Sequence, residues 1–267
     1  MYKITVLLEN CVYKHHLKAE HGLSLMVETP SKKILFDTGS SELFASNARL
    51  LGYDIKDIDY LVLSHGHRDH TGGLHHFLKN NSTARVICKK QILERKYKLE
   101  RENGIKNIDS LDLSRFDFVD HSTELGDGVT VFGDIEITNP NDTHFDKFVV
   151  EKGGQIAPDR FEEELVLILN QQNKQHIISS CSHRGITNIV SSIKRQYPNK
   201  ELGLILGGFH INNAPQDKFD TIAQYMQQAA PESLGVCHCT GLDKYALFVK
   251  EFGNKVFYAH TAREIIL

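Results

Sequence analysis

"LVLSHGHRDHTGG", residues 61–73, runs from three apolar residues straight into three histidines and an aspartate within six positions, then closes on paired glycines. A short apolar run bounded by turn residues reads as a buried strand. Where the chain leaves that strand, His65 and His67 can turn towards one point, and the sharp turn that follows can carry Asp69 and His70 to a second point nearby. The spacing therefore points to two metal ions. Imidazole and carboxylate donors suit zinc and also admit iron, manganese or nickel. Gly66 and Gly72 allow close backbone approach. A polar loop with merely hydrogen-bonded histidines would explain any one of these residues, but not four of them at one strand end.

Outward from this stretch, "YKITVLLE" (2–9), "GLSLMVET" (22–29) and "KKILFDTG" (32–39) read as neighbouring strands, and residues 41–51 as a helix stopped by Gly52. "GGLHHFLKN" opens a second helix. The charged, weakly periodic residues 91–115 predict a surface insertion or helical lid, and 139–160 predict a long polar loop able to cover a site. Beyond them one unit repeats three times: strand, histidine-bearing loop, helix. The strands are 164–170 with 175–183, then 202–210, then 233–241, and helices follow at 185–197, 217–230 and 242–252. This pattern predicts an α/β sheet core with helices outside and polar groups gathered at the strand ends. No linker composition breaks the chain, so residues 1–267 read as one domain.

Composition narrows the function. A formal net charge of −3 gives no basic field for bulk nucleic-acid binding, and no apolar run approaches a membrane span. The start lacks a signal-peptide pattern, and five cysteines without framework spacing read as reduced thiols, so a cytoplasmic protein is expected. Among fifteen histidines, His183 in "SSCSHRGITN", His210 in "LILGGFHI" and His238 in "VCHCTG" each follow an apolar strand at a Gly- or Cys-containing turn, which makes them candidates for the remaining ligands. His75, His76, His144 and His260 lack such support and read as surface or satisfied histidines.

"LVLSHGHRDHTGGL" resembles the hallmark of the metallo-β-lactamase-fold superfamily. The resemblance implies an αββα sandwich of two mixed β-sheets flanked by helices, with the site at one edge. "ILFDTG" matches the superfamily's early aspartate, so Asp37 would support the metal-binding loop through hydrogen bonds without touching metal. The later blocks are similar to the branch named for 7,8-dihydropterin-6-yl-methyl-4-(β-D-ribofuranosyl)aminobenzene-5′-phosphate synthase, and this likeness covers nearly the whole chain, weakening between about 91 and 160. It implies that His183 and His238 are metal ligands and that His210 is a ligand or a substrate-facing group. Where many superfamily hydrolases place a metal-bridging aspartate, this chain reads Cys181-Ser182-His183, with no carboxylate. Cys181, Cys237 and Cys239 flank the candidate ligands and would serve as thiolates or as small buried neighbours.

Divalent ions lower the pKa of water and clamp phosphoryl or carboxyl oxygens. The leading expectation is a metal-dependent hydrolase of a small, anionic ester, phosphoester or lactam-like substrate, with two divalent ions, zinc first. Asp69 would orient the attacking water and His210 would polarise the substrate. A pterin-pathway synthase-like transferase is the second reading, because fold does not fix function. A non-catalytic metal-binding protein or a redox protein is the third. Six or seven candidate ligands over four loops exceed a closed structural site of four, and the flavin domain usual in redox members is not seen. A nuclease would add a domain or an RNA-binding arm. The expected partner is a small molecule, with neither nucleic acid nor membrane.

Overall fold

Tyr60–Val62, the strand that delivers the histidines, lies inside a mixed seven-stranded sheet of the computed structural model, which describes all 267 residues. The sheet order is Glu264–Ile266, Lys3–Leu8, Ser24–Glu28, Lys33–Phe36, Tyr60–Val62, Arg85–Cys88 and Phe116–Phe118. Pairing is antiparallel up to Lys33–Phe36 and parallel beyond it. Parallel strands release their carboxyl ends on the same side, where loops can build a site. Phe36 stands opposite Val62, so Asp37 and Ser64 leave adjacent strands together, and the Asp37 N–H donates to Val62 O at 3.0 Å. Helices Leu43–Leu50 and Leu74–Asn80 place Phe44, Leu74 and Phe77 in the core cluster with Leu35, Leu61 and Val86.

The chain divides into two units: residues 1–120, 146–165 and 260–267 form the first, and residues 121–145 and 166–259 form the second. The first also holds a four-stranded antiparallel sheet in the order Gln155–Pro158, Phe148–Lys152, Arg95–Lys98 and Arg101–Glu102. This sheet corrects two expectations. Residues 91–115 hold no α-helix, and the supposed loop 139–160 contains a hairpin. Leu99 adopts φ 55°, a left-handed turn that an α-helix does not accept, and the strand beside it finds its partner some fifty residues later, at Phe148–Lys152. Lys96 is the inward residue of that strand, 1% exposed, so a lysine stands where alternation would show an apolar side chain.

The second unit holds another mixed seven-stranded sheet, ordered Val256–Tyr258, Ser233–Val236, Glu201–Gly207, Lys174–Ile178, Val166–Gln171, Val129–Phe132 and Thr123–Gly126. Its first four strands are parallel, and each of the three bridging connections carries the expected helix: Ile186–Gln196, Gln216–Ala229 and Leu242–Phe252. In the first helix Ile186, Ile189, Val190 and Ile193 follow i, i+3, i+4, i+7 spacing and are buried. Burying such side chains contributes about 1.5–3 kcal/mol each. Phe248 packs its ring against Phe219 and Phe209, with centroids 4.8 and 5.8 Å away, and so ties the last two helices to the His210 loop. No helix is long and apolar enough to cross a membrane.

Candidate metal centre

In the first unit the motif folds as a coil followed by one helical turn, Arg68–Thr71, with His65 and His67 before it and Asp69 and His70 inside it. The His65 ring lies 4.8 Å from that of His67 and 4.4 Å from that of His70, centroid to centroid. All three histidines are buried. Asp69 Oδ2 stands 3.1 Å from His21 Nε2 and 3.7 Å from His70 Nε2. His21 was not singled out from sequence, since "AEHGLS" carries no motif signal.

Asp37 is buried and hydrogen-bonded to the motif. Its Oδ1 accepts from the Ser64 N–H at 2.8 Å, and its Oδ2 accepts from Ser64 Oγ at 2.7 Å and from His70 Nδ1 at 2.8 Å. Proton counting then fixes two tautomers. A carboxylate only accepts, so His70 Nδ1 carries its proton and Nε2 keeps a lone pair. Ser64 has given its single proton to Asp37, so its oxygen accepts from His65 Nδ1 at 2.8 Å, and His65 Nε2 also keeps a lone pair. Burial, reinforced by neighbouring His70 and His67, holds the His65 pKa well below its usual value, so the ring is neutral at pH 7. The Nε2 atoms of His65 and His67 are buried and carry no hydrogen bond.

Phe148 and Phe161, both from the segment joined to the small sheet, wall this cluster. The His67 ring lies 4.7 Å from Phe148 and 5.0 Å, edge-on, from Phe161. Beneath it Lys96 Nζ reaches Asp159 Oδ2 and Glu163 Oε1 at 2.8 Å each, and Glu163 Oε1 also accepts from the Gly66 N–H at 3.3 Å. A Cβ on Gly66 would meet Lys96 Cε at 2.6 Å, so only glycine lets the lysine pass under the motif.

In the second unit the three predicted strand ends are the ones that bear histidines. Ser182, His210 and His238 take φ of 54°, 52° and 51°, as does Asp37 in the first unit at 62°; strained backbone of this kind clusters at functional sites. The His183 ring lies 4.3 Å from His210, and His183 Nδ1 donates to His144 O at 3.2 Å, which again leaves Nε2 with the lone pair. Donor atoms of Cys181, His183 and His210 lie within 4.8 Å of one another, as do those of Cys181, His238 and Cys239. Neither group includes a carboxylate. Burial pushes the Cys239 thiol up, but its hydrogen bond to Cys181 and the nearby His238 and His210 outweigh this and leave it well below the usual thiol range.

His144 departs from the expectation of a surface or satisfied histidine. It is 8% exposed, its ring lies 5.2 Å from that of His210, and its buried Nε2 makes no hydrogen bond, with Asp142 Oδ1 3.6 Å away. Burial, which outweighs the raising effect of Asp142, lowers its pKa. The signal available in sequence was the Asp-x-His pair of "PNDTHFD", which is weak because aspartate and threonine are ordinary turn residues.

Comparison with known proteins places the chain in a family. The family model described as the metallo-beta-lactamase superfamily matches residues 17–149. The crystal structure of Tm1679, a metal-dependent hydrolase of the β-lactamase superfamily, is 30% identical, superposes with a TM-score of 0.88 and covers 100% of this chain and 99% of its own. The chain belongs to the metallo-β-lactamase superfamily. It has the metallo-β-lactamase fold, and the superfamily typically binds divalent metals. Two relatives from Methanocaldococcus jannaschii extend the likeness over the full length. One is an uncharacterized protein, 30% identical over 98% of this chain and 99% of its own. The other is 7,8-dihydropterin-6-methyl-4-(beta-D-ribofuranosyl)-aminobenzene-5'-phosphate synthase, 29% identical over 98% of this chain and 96% of its own.

The donor set fits divalent metal ions. Buried neutral imidazoles with Nδ1 spent on an outer partner and Nε2 left as the lone-pair atom are the arrangement that metal-binding histidines use.

Proposed function

We propose that this protein is a metal-dependent hydrolase that acts on a small anionic ester or phosphoester, with zinc as the ion. The observation that carries the reading is the Asp37 carboxylate, which fixes the His70 tautomer directly and the His65 tautomer through Ser64. His65, His67, Asp69 and His70 are the ligands that the first unit would offer to metal, and His183 and His238 are those that the second unit would offer. When bound, such ions supply Lewis acidity and make hydroxide available near neutral pH.

The chain's own groups supply orientation. Asp69, braced by His21, is the carboxylate that would align an attacking water, and His210, flanked by His144 and His183, would face the substrate. Phe148 and Phe161 keep bulk water from the His65 and His67 rings and so lower the local dielectric. Cys181 stands beside His183 and His210 as a supporting group.

A second reading, a synthase-like transferase of the pterin pathway, is favoured by the full-length similarity to the M. jannaschii synthase. The test is elemental analysis per chain of wild type, His183→Ala and Asp69→Ala, followed by turnover on carboxylic-ester and phosphodiester panels. Near two ions in the wild type, fewer in both variants, and metal-dependent turnover are expected. Unchanged metal content in both variants would overturn the ligand assignment. Absence of ester turnover by the loaded protein would leave the transferase reading.

A further inference from the structure

We propose that a pocket of about 370 Å³ beside the histidine motif, walled by Arg68, Arg95 and Lys106, is a subsite for a phosphoryl group. The inference rests on the hydrolase reading and narrows its substrate to a phosphorylated small molecule.

Arg68 sits between His67 and Asp69 in the chain and lines the pocket, so the motif's own segment forms part of the wall. Its backbone N–H donates to Asn103 O at 2.8 Å, which ties the motif to the segment that supplies Glu102 and Ile105 to the lining. Its side-chain Nε is buried and has no hydrogen bond. A guanidinium carries several N–H donors in a fixed fork that matches phosphoryl oxygens. Lys106, also on the lining, is exposed and makes no ion pair, while its backbone carbonyl accepts from His75 Nε2 at 2.7 Å.

The other charges leave a surplus of positive charge. Arg95 is already paired with Asp109 at 2.8 Å, and Glu102 is the one remaining acid on the wall. Three cations therefore face two carboxylates, one of them engaged, in a chain whose formal net charge is −3. Ile105, 4% exposed, gives the pocket an apolar side. The volume falls within the roughly 300–1,000 Å³ of small-molecule sites and exceeds what a lone phosphate needs, so part of the molecule bearing the phosphate fits as well.

The experiment is calorimetric titration of inorganic phosphate into the metal-loaded full chain. It is paired with steady-state kinetics on two esters that differ only in a terminal phosphate. Arg68→Met, Lys106→Met and a control, Lys79→Met on the helix Leu74–Asn80, are compared with wild type, and metal content is measured for each. Phosphate affinity is expected to fall roughly tenfold or more in Arg68→Met and several-fold in Lys106→Met, with KM rising for the phosphorylated ester alone and no change in the control. If Arg68→Met loses metal, Lys106→Met decides, because it lies outside the motif. Wild-type phosphate affinity in both pocket variants, or equal KM changes for both esters, would overturn the proposal. Variant-dependent phosphate binding without turnover of either ester would uphold the subsite and sink the hydrolase reading instead.

Discussion

Lys96→Met removes one charge and keeps a stem of similar length beneath Gly66, so it isolates the electrostatics of the buried trio. The ammonium stands 2.8 Å from both Asp159 and Glu163, and the three side chains are 1%, 4% and 2% exposed. Desolvation pulls the lysine pKa down, and the two carboxylates more than reverse this, so the net shift is upward. Without the ammonium two carboxylates remain buried with no counter-charge. Breaking a buried pair in this way costs about 3–5 kcal/mol. At about 2–4 °C per kcal/mol for a chain of this size, the melting temperature should fall by roughly 6–20 °C. The sign of the pH dependence follows from the raised pKa. The lysine's contribution is fully present below its unfolded value of about 10.4 and is lost as pH rises through the higher folded value. Thermal denaturation by circular dichroism at several pH values, with Lys96→Met/Glu163→Gln alongside, provides the assay. A large deficit near neutrality that shrinks only above about pH 10, partly recovered in the double variant, is expected. A single variant that melts within about 2 °C of wild type would refute the claim that this trio fastens the small sheet under the motif.

Asp37→Ala should weaken metal binding by about 10–100-fold, read by competition with a chromogenic chelator, because both His65 and His70 lose their orienting chain; unchanged affinity would remove the tautomer argument. Gly72→Ala should destabilise by about 1–3 kcal/mol or more, measured by urea denaturation, since its Cβ would stand 2.1 Å from Ser40 O and 2.8 Å from Arg68 O, backbone atoms that cannot swing aside. Cys88 should resist alkylation by iodoacetamide until the chain unfolds, because burial pushes its thiol up to about 12; peptide mapping that finds it modified in the native protein would contradict that burial. Chelation should lower the melting temperature of the loaded protein, as linkage requires of any ligand bound to the native state alone, and a scan unmoved by chelator would count against ion binding.

The legible parts of this protein are those in which chemistry and local pattern coincide. The run from Leu61 to Gly73 combines a buried strand with ligand-type residues, and the three later histidines each stand at the end of a strand that precedes an amphipathic helix. Parallel strands with intervening helices have few topological choices, so the polar residues at their ends fall on one rim of each sheet. His144 and His21 escaped because their roles come from tertiary placement: one is buried against His210 and the other reaches Asp69 from a segment without periodicity.

The small sheet escaped for a deeper reason, which also bears on what holds the motif. Its central pair joins Arg95–Lys98 to Phe148–Lys152, and no local signal announces a partner that far along the chain. Its inward residue is a lysine, so the alternation that would have marked a strand is written in charge. That lysine is compatible with burial because Asp159 and Glu163 arrive from the same segment that supplies Phe148 and Phe161 to the histidine cluster. A hydrophobic residue at position 96 would have filled the volume but offered nothing to hold Glu163, the carboxylate that accepts from the Gly66 N–H. The buried charge thus positions a loop between two candidate ligands, a task for which burial of apolar area, having no direction, is ill suited.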